Sequence, residues 1–382
     1  MPNNMSKVCV LKVNSYDDTL VYDAISKGID MLGGLESFIS KDERILLKPN
    51  LLNGAVPEKA VTTHPVVFGA VAKYLLDNGY ANLSYGDGPG VGAADSAKVA
   101  NTAGLKDVAD KYNLPLASFD ETVQVEYAGG KIAKKFNLAK AVYDADAIIS
   151  ICKMKTHALE NITGALKNQY GCVAKLSKGT GHVKYPNSKM FADMIADLNG
   201  YIKPRLFIMD GILAMEGNGP GSGEPTPMNL ILISNDPVAL DTMFAELVYL
   251  DPKAVPTNVS GQNAGLGTMK LDEIEVITFD GTMTPKEAQE KFGNPNFNVN
   301  RKKARFWKIG AMISTTLSQF EKPVVDLNKC IACGICEQSC PVEGKAVKSG
   351  NGKKAQYDYT KCIRCYCCQE MCPAKAIQKK IR

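Results

Sequence analysis

The sequence contains no run of the roughly 18 apolar residues that a membrane-spanning helix needs. Its first residues, MPNNMSKVCVLKVN, lack the charged segment and apolar stretch of a secretory leader. The formal net charge is only +5, and the charges form no long runs, which argues against a face that binds nucleic acid. These absences predict a cytoplasmic protein with no membrane span and no nucleic-acid partner.

Motifs that bind common cofactors are also scarce. The chain has three histidines, which does not favour a multi-histidine metal site. No G-x-G-x-x-G motif follows an apolar run, so neither nicotinamide nor flavin is indicated. The glycine-rich stretch at 217–223 lacks the lysine of a P-loop, so nothing supports nucleotide hydrolysis.

Cysteine is abundant, and its distribution is uneven. Nine of the twelve cysteines lie between Cys330 and Cys372. A disulfide framework is typical of small secreted chains, not of one end of a long chain without a leader. We therefore interpret this region as a metal-ligating module in a reducing compartment.

Two cysteine runs in this region are copies of each other. CIACGICEQSCP from Cys330 and CIRCYCCQEMCP from Cys362 share the form C-x-x-C-x-x-C-x-x-x-C-P, offset by 32 residues. Three cysteines at this spacing can wrap one loop around an iron–sulfur cube, while the fourth ligates the other cluster. The alternative, a zinc module, usually pairs two C-x-x-C units and does not fit this pattern.

The duplicated motif resembles the bacterial two-cluster ferredoxin family over about 60 residues. This resemblance implies two 4Fe-4S clusters, with Cys367 left over as a free thiol. The sequence GNG at 350–352 predicts a turn between the half-motifs. The implied ligand sets are Cys330, Cys333, Cys336 and Cys372 for one cluster, and Cys340, Cys362, Cys365 and Cys368 for the other.

The larger part of the chain alternates short apolar runs with amphipathic stretches. Runs such as RILLKPN, AIISICK and NLILIS suit strands buried on both faces, and stretches beginning at 66 and 188 predict helices. This alternation predicts an α/β fold with a mainly parallel sheet flanked by helices, plus the small C-terminal α+β ferredoxin-like domain. Residues 115–137 suggest an antiparallel hairpin, and Cys9 and Cys152 are expected in the core.

Polar or glycine-rich turns follow five of the predicted strands. In open α/β sheets the ligand crevice lies beyond the carboxyl ends of the strands, so these turns are expected to share one rim. Asp236 has an alternative role as a helix N-cap before Pro237. GDGPG at 86–90 is either a tight turn or an anion cradle, and residues 217–227 are either a flexible loop or a lid.

These segments also resemble the family called domain of unknown function 362, whose members are often fused to a ferredoxin module. The resemblance covers roughly residues 40–250 and supports the rim as one site, without a secure substrate. The candidate catalytic residues are Lys48, Lys155, His157 and Asp210. The candidate substrate-binding residues are Asn50, His64, Asp87, Lys153, Lys167, Asn168, Glu216 and Asp241.

Two functions are compatible with this sequence. In the favoured one, the clusters pass electrons to a small anionic substrate at the rim, with Lys155 or His157 moving a proton and the rim carboxylates orienting groups or holding a divalent ion. In the other, the protein is an electron carrier or redox-responsive binding protein without catalysis. Either requires a redox partner protein or a small electron donor, and the sequence is compatible with an oligomer.

The sequence predicts three regions. Residues 1–290 form the α/β domain, 291–322 a linker or interface helix around Trp307, and 323–382 the ferredoxin domain.

Overall fold

The computed structural model describes residues 5–90, 95–301 and 321–381. Most of the predicted linker, including Trp307, lies outside the described residues. None of the helices in the described ranges is long and apolar enough to cross a membrane.

A nine-stranded sheet forms the centre of the larger part of the chain. Its strands are β1 (Ser6–Lys12), β2 (Ile45–Lys48), β3 (Leu83–Tyr85), β6 (Ala147–His157), β7 (Asn161–Thr163), β8 (Leu206–Glu216), β9 (Glu224–Ser234), β10 (Ile274–Thr278) and β11 (Gly281–Met283). A separate antiparallel hairpin, β4 (Thr122–Glu126) and β5 (Lys135–Ala139), confirms the predicted hairpin and extends two residues beyond the predicted segment 115–137.

Helices cover both faces of this sheet. They are α1 (Asp18–Met31), α2 (Pro65–Asp77), α3 (Ser96–Thr102), α4 (Leu105–Lys111), α5 (Lys140–Asp144), α6 (Ala165–Asn168), α7 (Lys175–Lys184), α8 (Ser188–Ile202), α9 (Pro237–Leu247), α10 (Pro256–Asn263) and α11 (Pro285–Phe292). Short 3-10 turns occur at Leu35–Ser37, Pro57–Lys59, Gln169–Cys172, Pro252–Ala254 and Leu271–Glu273.

Alternate residues of the strands pack into separate hydrophobic cores on the two faces of the sheet. Cys9 and Leu11 pack with the helices α1 to α4, whereas Val8 and Val10 pack with α9. The residues that point to either face are apolar because helices cover both faces of the sheet. This explains why the apolar runs in the sequence do not alternate strictly with polar residues. The fold is therefore α/β with a helix–sheet–helix arrangement, and Cys9 and Cys152 are core residues as predicted.

The strand order in the sheet is β11-β10-β1-β9-β8-β6-β2-β3, with β7 paired to β6. The strands β3, β2, β6 and β8 are parallel neighbours, and β1 and β10 are also parallel to each other. The strand β9 runs antiparallel to both β8 and β1. Polar segments do follow β2 and β3, as predicted. The predicted turns at Lys153–His157 and Asp210–Gly211 are wrong, because β6 and β8 continue through these residues. Residues 235–237 lie at the opposite edge, because β9 is antiparallel to its neighbours.

Asp236 at this opposite edge has the alternative role considered from the sequence. Its carboxylate accepts hydrogen bonds from the backbone N–H groups of Val238 and Ala239, at 2.9 and 2.8 Å. It is the N-cap of α9, with Pro237 at the first helical position.

The C-terminal residues form a small α+β module. Its elements are β12 (Glu321–Val325), α12 (Ile335–Gln338), β13 (Val347–Gly350), β14 (Lys353–Tyr357), α13 (Cys367–Glu370) and β15 (Ile377–Ile381). The strands β12 and β15 pair, and β13 and β14 form a hairpin whose turn falls at the predicted GNG. Gly334 before α12 and Tyr366 before α13 both have left-handed backbone conformations, as expected for repeats 32 residues apart.

Candidate functional site

Each half of the ferredoxin-like module surrounds a cavity with four cysteines. One cavity is lined by Cys330, Cys333, Cys336 and Cys372, and we call it the first cluster site. The other is lined by Cys340, Cys362, Cys365 and Cys368, and we call it the second cluster site. These are the two ligand sets that the ferredoxin resemblance implied, and four thiolates are the donors that a 4Fe-4S cluster needs.

Hydrogen bonds to sulfur support this assignment of ligands. The backbone N–H of Ala346 donates to Cys340 Sγ at 3.3 Å, and that of Ala376 donates to Cys372 Sγ at 3.3 Å. The hydroxyl of Tyr357 lies 3.2 Å from Cys368 Sγ. Donors at these positions stabilise negative charge on the sulfurs and are one of the means by which a protein sets cluster potential.

The module docks on the polar rim of the α/β domain. Asn218 Nδ2 donates to the carbonyl of Ile377 at 3.0 Å, and Gln369 Nε2 donates to the carbonyl of Asn218 at 2.7 Å. Ser222 Oγ lies 3.4 Å from the carbonyls of Gln369 and Cys372. The stretch predicted as a flexible loop or a lid is thus the β8–β9 connection, which packs against α13, and residues 224–227 belong to β9.

Docking forms a partly open cavity of about 70 Å³ between the rim and α13. One wall comes from the α/β domain and carries lysine, asparagine and aspartate side chains. The other comes from the module beside the second cluster site and carries Cys367, Glu370 and Met371. The rim residues that line this cavity, which we call the rim cavity, include Asn50, Asp87, Lys155, Lys167, Asn168, Tyr170, Lys178 and His182.

Two buried lysines face the rim cavity with lowered pKa values. Lys155 Nζ donates to Asn50 Oδ1 at 3.1 Å and to the carbonyl of Val61 at 2.8 Å. Burial, assisted by the charge of Lys167, lowers the pKa of Lys155 to about 7. Burial likewise lowers the pKa of Lys178 to about 8. Both amines therefore change charge within the range where proteins usually work.

The GDGPG segment is neither a tight turn nor an anion cradle but a loop whose amides bond to other parts of the protein. The N–H of Gly88 donates to the carbonyl of Gly171 at 3.2 Å, and the N–H of Gly90 donates to that of Leu52 at 2.6 Å. Lys178 Nζ donates to the carbonyls of Gly88 and Pro89. The segment thus presents carbonyls to a cation, whereas an anion cradle would present free amides.

Lys48 and Asp87 form a buried ion pair at the edge of the cavity. Lys48 Nζ lies 2.8 Å from Asp87 Oδ1, and both side chains are almost fully buried. Asp87 Oδ2 also accepts the N–H of Leu51 at 2.8 Å. A side chain at Gly171 would collide with the pair, since a Cβ there would lie 1.9 Å from Asp87 Oδ1. Lys48 therefore holds Asp87 in place, and its own charge is neutralised by this ion pair.

His157 at the end of β6 is buried behind the cavity wall. Its Nδ1 accepts the N–H groups of Leu159 and Glu160, both at 3.1 Å, so the proton of the neutral ring lies on Nε2. Nε2 lies 2.9 Å from Glu370 Oε1 of the ferredoxin-like module. Burial lowers the pKa of His157 to about 3. The ring is thus neutral and positions Glu370, which lines the cavity.

A second buried network joins β6 and β8 outside the cavity. Lys153 Nζ contacts Asp210 Oδ2 at 2.7 Å, with both side chains fully buried, and donates to Tyr16 Oη at 2.9 Å. Tyr16 Oη also lies 2.8 Å from Asp210 Oδ1, and its ring stacks on His64 at 3.5 Å. Lys153, Asp210 and His64 belong to the rim as predicted but do not line the cavity.

His64 also has a structural role. Its Nδ1 accepts the N–H of Val66 at 3.2 Å and caps α2, and burial lowers its pKa to about 4.

Of the remaining predicted residues, one lines the cavity and two bond to backbone groups elsewhere. Asn168 lines the cavity, where its Nδ2 donates to Ser150 Oγ at 3.0 Å. Glu216 accepts the N–H of Asn298, and Asp241 accepts the N–H groups of Ala165 and Leu166 at the start of α6. Among the described residues no three His, Cys, Asp or Glu side chains are placed to hold a single metal ion.

Sequence reasoning missed several members of the site. Lys178 and His182 lie on α7, a polar stretch that resembles a solvated helix, and Tyr16 follows β1, whose end was not considered as part of the rim. Glu370 lies 213 residues from its partner His157, so no local pattern signals the contact. Cys367 is a buried thiol, but its position in the wall of the cavity was not expected.

Comparisons with known proteins match two families in this chain. Residues 45–246 match the family described as Domain of unknown function (DUF362), and residues 322–373 match the 4Fe-4S dicluster domain. The first match covers more than half of the sequence. The chain belongs to the DUF362 family. Its C-terminal module is a dicluster ferredoxin domain, and the protein carries two 4Fe-4S clusters and has an iron–sulfur electron-transfer role.

A curated relative and two solved structures are similar to this DUF362 protein. A thylakoid-associated protein of Synechocystis sp. is 33% identical over 269 residues, which cover 69% of this chain and 80% of the relative. The prediction of a cytoplasmic location stays a prediction.

The solved structures are more distant. The lactate racemase apoprotein of Thermoanaerobacterium thermosaccharolyticum is 12% identical with a TM-score of 0.38, over 62% of this chain and 55% of that one. A Thermotoga maritima protein is 13% identical with a TM-score of 0.34, over 56% and 54%. This chain therefore spans about half the length of either structure.

Proposed function

We propose that this protein is an iron–sulfur oxidoreductase that passes electrons from its ferredoxin domain to a small anionic ligand in the rim cavity. The observation that carries the proposal is the composition of the cavity walls. Rim lysines form one wall, and the helix that carries Cys368 of the second cluster site forms the other. A ligand held by the lysines would therefore lie beside a redox centre.

The charges around the cavity favour an anion. Lys155, Lys167 and Lys178 line it, and the charge of Asp87 is already balanced by Lys48. Glu370 is then the one lining carboxylate, among the described residues, that opposes three amines. A ligand with one or two negative charges would compensate the excess, since amines bind carboxylates and phosphates as point charges.

The size of the cavity limits the ligand. Its volume of about 70 Å³ is far below the roughly 300 Å³ at which pockets for drug-sized compounds begin. The proposed substrate class is therefore a small carboxylate, phosphate or oxyanion.

Reduction of such a ligand normally consumes protons, and Lys155 is the group suited to supply one. Its pKa of about 7 lies near the pH at which a general acid is most effective, and its amine faces the cavity. His157, the other candidate from the sequence, is neutral and engaged at both ring nitrogens. We therefore assign proton donation to Lys155 and the positioning of Glu370 to His157.

The clusters supply single electrons when bound, and the protein's own contribution is to hold the ligand and exclude water. Lys167 and Lys178 bind negative charge, and Met371 lines the cavity on the module side. Asn50 orients Lys155 through its 3.1 Å hydrogen bond.

A stopped-flow oxidation experiment tests the proposal. The holoprotein is reduced anaerobically with dithionite, desalted, and mixed with a panel of small carboxylates, phosphates and oxyanions. We expect at least one compound to reoxidise the protein, with a rate at least about tenfold lower in Lys155→Met and unchanged in Lys27→Met, an exposed lysine on α1. A contrary result would be a protein with both clusters in place that no compound in the panel reoxidises faster than buffer alone does. The protein would then be a carrier, and the enzyme proposal would be wrong.

A further inference from the structure

In the loop of the first cluster site, two large apolar side chains are more than half exposed. Ile331 is 65% exposed and Leu327 is 51% exposed, and Ile331 is the most exposed large apolar residue within the described ranges. Ile363, the equivalent of Ile331 in the second repeat, is partly buried and lines the second cluster site. Exposure is therefore not a requirement of the cysteine motif but a property of this copy.

Lysines surround this apolar tip. Lys329 and Lys353 are exposed, and Lys354 Nζ donates to the carbonyl of Leu327 at 2.7 Å. None of these three lysines has a carboxylate within ion-pair distance in the described parts of the chain, whereas Lys348 nearby is paired with Glu337. From Lys322 onward the sequence has twelve Lys or Arg against five Asp or Glu.

The two cluster sites differ in their access to solvent. Cys333 of the first site is exposed and Cys330 is partly exposed, whereas Cys340, Cys365 and Cys368 of the second site are buried. Among the described residues, the hydrogen bonds that join the module to the α/β domain come from residues 369–379 and not from the loop 327–333. Within these ranges the first site is therefore more accessible to an external protein than the second.

We propose that Leu327, Ile331 and Cys333, with Lys329, Lys353 and Lys354 around them, form a docking surface for a small acidic electron-carrier protein. An apolar centre inside a ring of one charge is the arrangement that steers an oppositely charged partner and excludes water at the contact. Each encounter transfers one electron, the carrier being oxidised and this protein being reduced, with no bond or proton exchanged. The direction rests on the proposed function, but the surface itself does not.

Binding of an acidic flavodoxin to the full-length holoprotein tests this surface. The dissociation constant is measured anaerobically by calorimetry at low and high salt. We expect Lys329→Glu to weaken binding about tenfold at low salt and much less at high salt, because the steering charges are screened. The matched control Lys27→Glu reverses an exposed lysine on α1 and should change the constant less than about twofold.

The apolar centre is tested by a second pair of variants. Leu327→Ser should weaken binding at both salt concentrations, whereas Leu20→Ser, at 52% exposure on α1, should not. Reduction by dithionite and the iron content should stay at wild-type values in all four variants, which shows that the module is folded.

Two results would overturn the inference. One is a wild-type protein that dithionite reduces fully but that does not bind the flavodoxin. The other is binding that Lys329→Glu and Leu327→Ser leave unchanged. Failure of every anion to reoxidise the protein would refute the proposed function while leaving this binding measurement unaffected.

Discussion

Replacing Lys155 by methionine should stabilise the protein at pH 6 while it slows electron transfer to the ligand. Burial lowers the pKa of Lys155 from 10.5 to about 7. This difference of three to four pKa units corresponds to about 5 kcal/mol of folding free energy lost while the amine is protonated in the native state. Methionine removes that penalty but leaves Asn50 Oδ1 without its donor, which costs about 2 kcal/mol, while the carbonyl of Val61 keeps Asn50 Nδ2 as a donor. The net expected gain is about 3 kcal/mol.

The pH dependence of this gain has a defined sign. Below pH 7 the native and unfolded states both carry the proton, so the full penalty is present in the wild type. Between about pH 7 and 10.5 the unfolded state binds more protons than the native state, so the wild type becomes more stable as the pH rises. The difference between variant and wild type should therefore fall to near zero by about pH 9.

Thermal unfolding of the anaerobic holoprotein at pH 6 and pH 9 provides the assay. At about 2 °C for each kcal/mol, Lys155→Met should raise the midpoint by about 6 °C at pH 6. Lys48→Met is the matched control, since it leaves Asp87 buried without its partner and should cost about 3–5 kcal/mol. If Lys155→Met lowers the midpoint at pH 6 as Lys48→Met does, Lys155 is a structural residue and the reasoning fails.

Three further predictions concern the rest of the site. Asp210→Asn leaves Lys153 buried without its counter-charge and should destabilise the protein by about 3–5 kcal/mol, measured by thermal unfolding. Gly171→Ala would place a Cβ 1.9 Å from a buried carboxylate oxygen, so both the melting temperature and anion affinity by calorimetry should fall. Cys367→Ser should keep about eight iron atoms per chain by chemical analysis, whereas Cys368→Ser should lose part of its iron.

The layers of the fold and the cluster ligands could be predicted because local patterns determine them. Buried strands need apolar residues on both faces, and a cluster loop needs cysteines at fixed spacing. The reversal of β9 was missed because only its apolar part, from residue 229, was recognised as a strand. The observed strands leave only residues 217–223 between β8 and β9, too few for a parallel crossover, which needs a dozen or more.

The rim was predictable, but the cavity was not. Asp87 could be placed after β3 because parallel strands bring their ends to one edge, whereas Lys155 lies within β6, which is longer than predicted. The second wall arises from docking of the ferredoxin domain, and contacts such as Glu370 with His157 join residues that no periodic pattern connects. Lys153 forms a buried ion pair with Asp210, whereas Lys155 lines the cavity. The sequence alone could not distinguish these two roles.

The central claim is that a small anion binds in the rim cavity next to the second cluster site. Pulsed EPR of the reduced holoprotein with saturating ¹³C-labelled oxalate, and separately with inorganic phosphate, tests it most directly. We predict a weak ¹³C or ³¹P coupling to one of the two reduced centres in the wild type, and no coupling in Lys167→Met, which removes an anion-binding amine. The absence of any coupling in the wild type with either probe, or an equal coupling in Lys167→Met, would contradict the account.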